Sequence, residues 1–203
     1  MKRIAVLASG GGSNFAALVA AQARFASYRV VLLVSNVASS GVIAKAHEAG
    51  IENLVIPSRG AVREEHDRAV LEALAPHAID ILCLAGYMRV LSPSFITGFR
   101  GPILNIHPSL LPAFPGLHAQ RQAIEAGVRW SGVTVHFVDS GLDSGPIILQ
   151  EPVHVEQEDV ETSLSARILA TEHRLYPMAL DFVAREAFRI DGRKVHLFPE
   201  PTI

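Results

Sequence analysis

A single cysteine, Cys83, is the only thiol in this chain of 203 residues. One cysteine makes no internal disulfide, and without a CxxC pair or a His/Cys cluster the usual zinc-ligand patterns are excluded. Cys83 lies inside the apolar run IDILCLAG and reads as a buried structural thiol rather than a nucleophile. A charge excess is missing too. Eighteen basic against 20 acidic residues give a formal net charge of -2, which argues against a general nucleic-acid binder but leaves room for a local phosphate site. No apolar stretch is long enough to span a membrane. The run in MKRIAVLASGGGSN is too short for a secretory core and leads straight into glycines. The cytoplasm is therefore the expected compartment, with no nucleic-acid or membrane partner, and oligomeric state is left open. Repeats, low-complexity tracts and long linkers are absent as well. With 49% hydrophobic and 19% charged residues, the chain has material for a large core and reads as one domain over 1–203.

What is present is an alternation of two periodicities. Residues 4–8, 30–35, 54–57 and 79–85 form short, nearly continuous apolar runs, the pattern of strands covered on both faces. Between them, 14–24, 42–49 and 63–74 carry helical spacing and good helix formers. Strand–helix alternation at this rhythm predicts right-handed βαβ units around a parallel sheet, with ligands beyond the carboxyl ends of the strands. After residue 100 the expectations are a helix over 118–126, strands over 132–139 and 145–155, and a helix over 159–184. The tail RIDGRKVHLF, with Asp191-Gly192 between two alternating runs, predicts a hairpin. The fold class is α/β: a Rossmann-like, mostly parallel twisted sheet with helices on both faces and a C-terminal antiparallel hairpin.

Three segments carry chemistry. In GPILNIHPSLLPAFPG (101–116), Asn105 and His107 stand two apart in an apolar run, so a strand would present amide and imidazole on one face at its carboxyl end. Prolines 108, 112 and 115 stiffen the loop that follows, and the two side chains could donate to a developing oxyanion. In SGGGSN (9–14), glycines after the first strand and before the first helix let backbone N–H groups approach an anion. Ser13 or Asn14 could cap that helix or donate to a phosphate. The segment lacks the Gly-Lys-Ser/Thr of a Walker loop and the third glycine of the dinucleotide fingerprint, so a small phosphate monoester fits better than ATP or NAD. In DSGLDSG (139–145), turn chemistry explains Asp139, whereas Asp143 matters if the fold brings it to His107, where a carboxylate would favour the charged imidazole. Of the other histidines, His47, His66, His77 and His196 read as solvated, and the pattern GVTVHFVD leaves the face of His136 open. Glu172 reads on pattern alone as a helix-surface charge, as do Glu161 and Glu186.

SGGGSN, LAGYMRVLS at 84–92, NIHPSLLPAFPGLHA at 105–119 and GVTVHFVDSGLDSGPIILQ at 132–150 together resemble, in the same order and over almost the whole chain, the phosphoribosylglycinamide formyltransferases of the folate-dependent formyltransferase family. The resemblance implies formyl transfer from 10-formyltetrahydrofolate to the amine of glycinamide ribonucleotide in purine synthesis, without a metal. It implies that Asn105, His107 and Asp143 are catalytic, and that Gly12, Ser13, Asn14 and Glu172 bind the ribonucleotide. It assigns Arg63, Met88, Arg89, Val90, Leu91, Asn105, Asp139, Ser140, Gly141, Leu142 and Asp143 to the folate. Residues 1–100 then form a ribonucleotide-binding half, and 101–203 a folate-binding and catalytic half. Gly11 replaces a common asparagine and Ser144 a common second glycine; both flank functional positions. Among relatives, a methionyl-tRNA formyltransferase would carry a further C-terminal domain, and a formyltetrahydrofolate hydrolase an N-terminal one, for which the chain leaves no room. A formyltetrahydrofolate hydrolase or another amine formyltransferase of the same fold is the enzymatic alternative. A non-catalytic folate- or nucleotide-binding protein is the alternative of a different class.

Overall fold

Residues Ile4–Ala8 expose none of their surface to solvent, and they form the last five residues of the first strand in the computed structural model, which describes residues 1–199. The chain divides into two compact units, Met1–Asn105 and Ile106–Ile203.

The first unit runs β1 (Lys2–Ala8), α1 (Ser13–Phe25), β2 (Tyr28–Ser35), α2 (Gly41–Glu48), β3 (Glu52–Val55), α3 (Arg63–Leu74), β4 (Ile81–Leu84), α4 (Pro93–Gly98) and the first part of β5 (Ile103–His107). Its strands lie in the order β3-β2-β1-β4-β5, and every ladder among them is parallel. This is the arrangement that unbroken apolar runs favour, because both faces must be covered. Cys83 is fully buried and paired with Val6 on one side and Leu104 on the other. β3 begins two residues earlier than the expected 54–57, because Glu52 already pairs with Leu32 and Pro57 has no N–H to continue the ladder. The short α4 has no apolar periodicity long enough to announce it. It is nucleated by Ser92, whose hydroxyl accepts the Phe95 N–H at 3.2 Å, with Pro93 at the first helical position. The solvated reading of His66 is corrected. At the spacing 66, 70, 74 it shares the buried stripe of α3 with Val70 and Leu74, and its Nε2 meets the carbonyl of Ile56 at 3.0 Å.

The second unit takes the end of β5, then α5 (Ala119–Glu125), β6 (Trp130–Phe137), β7 (Ile147–His154), α6 (Glu161–Ala184), β8 (Phe188–Asp191) and β9 (Lys194–Leu197). Strands β6-β7-β9-β8 are neighbours in that order. β6 and β7 pair antiparallel, with a bulge between Val135 and His136; β7 meets β9 in parallel at Ile147 and Lys194. The hairpin is present, but Asp191 pairs with Lys194. The turn is therefore Gly192-Arg193, one residue later than expected, with Gly192 at φ +59 as a tight two-residue turn requires. The molecule is thus α/β, mostly parallel and Rossmann-like, flanked by helices, with a C-terminal antiparallel hairpin. No helix among the described residues is long and apolar enough to cross a membrane.

Candidate active site

In the first unit, the loops beyond the strand ends are joined through Ser9. Its N–H donates to the carbonyl of Gly86 at 3.1 Å. Its hydroxyl donates to Asn36 Oδ1 at 2.5 Å and accepts the Met88 N–H at 2.8 Å. Asn36 passes the chain on to Ser58 Oγ at 2.9 Å. Loops after β1, β2, β3 and β4 are thereby held together at the carboxyl end of the sheet, the ligand end of such folds. Gly12 is the N-cap of α1 at φ +72, and a Cβ there would lie 2.5 Å from Val42 Cγ2 and 2.8 Å from Val42 Cα. The expectation that Ser13 or Asn14 caps α1 is corrected: no side chain caps it, and these two are its first residues. The first N–H groups of a helix lack intrahelical partners and carry the positive end of its dipole, so this loop can hold an anion.

Arg89 is anchored on the loop after β3, donating to the carbonyls of Ser58 at 3.2 Å and Ala61 at 3.1 Å. Its neighbours Met88 and Val90 are exposed apolar side chains, whereas Leu91 is buried. Arg63 opens α3 and is exposed. Asn105, half-buried and paired with Leu84, precedes His107 by two positions in β5, as the alternation predicts for a shared face.

The second unit brings His107 to Asp143. The imidazole Nδ1 lies 3.4 Å from Asp143 Oδ2, with side chains only 6% and 11% exposed. The other ring nitrogen, Nε2, meets the carbonyl of Phe114 at 2.8 Å. A carbonyl and a carboxylate both only accept, so each ring nitrogen of His107 faces an acceptor. Asp143 Oδ2 also accepts the Gly116 N–H at 2.8 Å. The proline loop that supplies Phe114 and Gly116 is itself fixed by Thr134. That hydroxyl donates to the Ser109 carbonyl at 2.7 Å and accepts the Leu111 N–H at 3.0 Å. Gln150 adds a bond to the Leu111 carbonyl at 2.8 Å.

On the far side of Asp143 stands His136, 2% exposed, with Nε2 at 3.8 Å from Oδ1. Burial pushes its pKa down, against the opposing effects of its bond to the Phe137 carbonyl and the Asp143 charge. Its Nδ1 lies 2.8 Å from that carbonyl oxygen, which can only accept, so Nδ1 carries the proton there. Asp143 itself is left-handed at φ +48. Asp139 closes its loop, Oδ1 accepting the Gly141 N–H at 3.0 Å and the Ser144 hydroxyl at 2.7 Å. Ser140 and Leu142 are exposed on that loop. Glu172 is corrected from a surface charge: at 8% exposure it sits in the buried stripe of α6 with Leu164, Ile168 and Leu175. Thr134 and His136 escape a reading by alternation because Ser131–Phe137 is buried throughout; Gln150 lies on the neighbouring strand β7. No group of three or more His, Cys, Asp or Glu side chains is placed to hold a metal ion among the described residues.

A buried imidazole–carboxylate pair at the carboxyl end of a strand, in a chain whose first helix opens on a glycine loop, is an arrangement of an α/β protein capable of acid–base chemistry. The chain belongs to the formyl transferase family, whose sequence pattern matches residues 2–180. It is 42% identical over 196 residues to the phosphoribosylglycinamide formyltransferase of Escherichia coli (strain K12), covering 95% of this chain and 90% of that protein. It is 48% identical over 183 residues to the trifunctional purine biosynthetic protein adenosine-3 of Drosophila melanogaster, covering 88% of this chain but 14% of that protein. It therefore spans about a seventh of the length of this much larger relative. The solved structure of glycinamide ribonucleotide transformylase 1 from Symbiobacterium toebii superposes with a TM-score of 0.93 at 45% identity, over 97% of this chain and 94% of that one.

Proposed function

We propose that this chain transfers the formyl group of 10-formyltetrahydrofolate to the amine of glycinamide ribonucleotide. The products are formylglycinamide ribonucleotide and tetrahydrofolate, in a cytoplasmic step of purine (IMP) biosynthesis, and residues 1–203 act as one formyltransferase domain. The observation that carries the reading is the His107–Asp143 pair at 3.4 Å; the kinship with formyltransferases supplies the substrates.

Attack of the neutral amine on the formyl carbon develops negative charge on the formyl oxygen. His107 and the amide of Asn105 stabilise that charge. The 3.4 Å separation is longer than a charge-assisted hydrogen bond of about 2.7–2.9 Å, so the Nδ1–H remains available to a closer, more basic acceptor. Asp143 keeps the imidazole charged and orients the water that carries the amine's proton away. The departing folate nitrogen is protonated, and no step calls for a metal. The N–H groups of Gly12, Ser13 and Asn14 take the phosphate of the ribonucleotide, and Glu172 a further contact on it. Arg63, Met88–Leu91 and the 139–143 loop receive the folate. Holding both small molecules in place lowers the entropic barrier.

The test supplies purified protein with 10-formyltetrahydrofolate and glycinamide ribonucleotide. Formylated ribonucleotide is the expected product, with the rate lowered by about two orders of magnitude or more in His107→Ala, the scale of a lost acid–base group. Formate released without transfer would instead identify a hydrolase. Binding of both ligands without turnover in the unmutated protein would leave a binding module.

A further inference from the structure

We infer that Arg193 and Ser144 are positioning residues that hold the Asp143 carboxylate towards His107, an inference that rests on the formyl-transfer reading for its kinetic consequence. Asp143 occupies a left-handed backbone conformation, φ +48, which an aspartate adopts at a cost and keeps only where its surroundings impose it. Two ties bracket it. Inside the loop, the Ser144 hydroxyl donates to Asp139 Oδ1 at 2.7 Å, closing 139–144 into a ring that the Gly141 N–H shares at 3.0 Å. At the loop's end, the Arg193 guanidinium donates from Nη2 to the Ser144 carbonyl at 2.7 Å.

Arg193 stands in the two-residue turn of the β8–β9 hairpin, next to Lys194, which pairs with Ile147 of β7. The hairpin thus acts on the reacting carboxylate without touching it. Its arginine fixes the peptide that follows Asp143, while the serine fixes the ring that contains it. A carboxylate so fixed keeps Oδ2 on the Gly116 N–H at 2.8 Å and within reach of His107.

The full-length protein and its Arg193→Ala, Ser144→Ala and Arg193→Lys variants are compared by two readouts. The Gly116 amide, protected by Asp143, should exchange with solvent roughly three- to tenfold faster in both alanine variants, the scale of one lost hydrogen bond. The amide of Leu82, bonded to the Pro102 carbonyl within the first unit, should keep its rate. For formyl transfer, kcat should fall by roughly the same factor with KM for the ribonucleotide unchanged, and Arg193→Lys should recover most of it. In an Asp143→Asn background the alanine substitutions should have no further effect on kcat. An unaltered Gly116 exchange rate in Arg193→Ala overturns the inference, as does a kcat loss that persists undiminished beside Asp143→Asn. If the unmutated protein transfers no formyl group, the proposed reaction fails by itself. Gly116 exchange then still decides the hold on Asp143: faster supports it and unchanged overturns it.

Discussion

Replacing Asp143 with asparagine removes a charge while keeping the side chain's shape and an oxygen for the Gly116 N–H. At 3.4 Å and an effective dielectric of about 20, the direct attraction between imidazolium and carboxylate is about 5 kcal/mol. Removing both groups from water cancels part of it, since the interior penalty is several kcal/mol per ion; a residue of about 2–3 kcal/mol corresponds to about 30- to 150-fold in rate. The loss should fall on kcat, because the imidazolium is needed most where charge develops on the formyl oxygen, and KM for the ribonucleotide should stay near that of the parent. Initial rates of tetrahydrofolate release at saturating and limiting ribonucleotide separate the two, with a thermal melt to confirm that the variant is folded. A kcat within about threefold of the parent, or a loss confined to KM, would refute the electrostatic role assigned to Asp143.

Gly12→Ala should destabilise the protein by about 2–4 kcal/mol, from the left-handed φ and the overlap with the Val42 backbone; the guanidinium midpoint checks this, and KM for the ribonucleotide should rise. The depressed pKa of His136 means that between the folded value and the ordinary value of about 6.5 the unfolded chain binds more protons. The stability it contributes is therefore full above about pH 6.5 and lost as pH falls. His136→Asn should flatten that dependence in melts between about pH 5 and 8, and an unchanged slope would place the proton uptake elsewhere. The Asp159 carboxyl is held well below its usual range, first by its hydrogen bond to Arg167 and then by Ser163 and the Glu156 N–H, against the opposing effect of burial. Asp159→Asn should cost about 1–2 kcal/mol at neutral pH, discounted for the partly exposed arginine. Because the folded pKa is lowered, this contribution is present above about pH 3.9 and lost as pH falls below it, so the variant and parent should converge in acid denaturation.

The strands and long helices were legible because a two-sided parallel sheet leaves unbroken apolar runs, and α3 occupies the range its periodicity announces. What stayed hidden has physical reasons. α4 is a single capped turn and a half, too short for a period to register. Glu172 and His66 lie on buried stripes of α6 and α3, but a polar residue type reads as solvated, because the pattern cannot name the partner that lets it be buried. The cap of α1 is a backbone conformation at Gly12, not a side chain. Asn105 and His107 could be read as a pair because two-residue spacing is local. The meeting of His107 with Asp143 could not, for it depends on the β6–β7 connection and on a left-handed aspartate, neither of which has a periodic signature.

The burial of Cys83 between Val6 and Leu104 gives the molecule a built-in reporter. A thiol reagent offered to the native protein finds no sulfur until β4 parts from its neighbours, and no second cysteine contributes background. The rate of modification at low reagent therefore measures how often the centre of the first unit opens, and ligand seated on the loops above those strands should slow it in proportion to its occupancy. The one sulfhydryl in the chain thus offers a clock for breathing of the sheet, and a binding assay that needs no turnover.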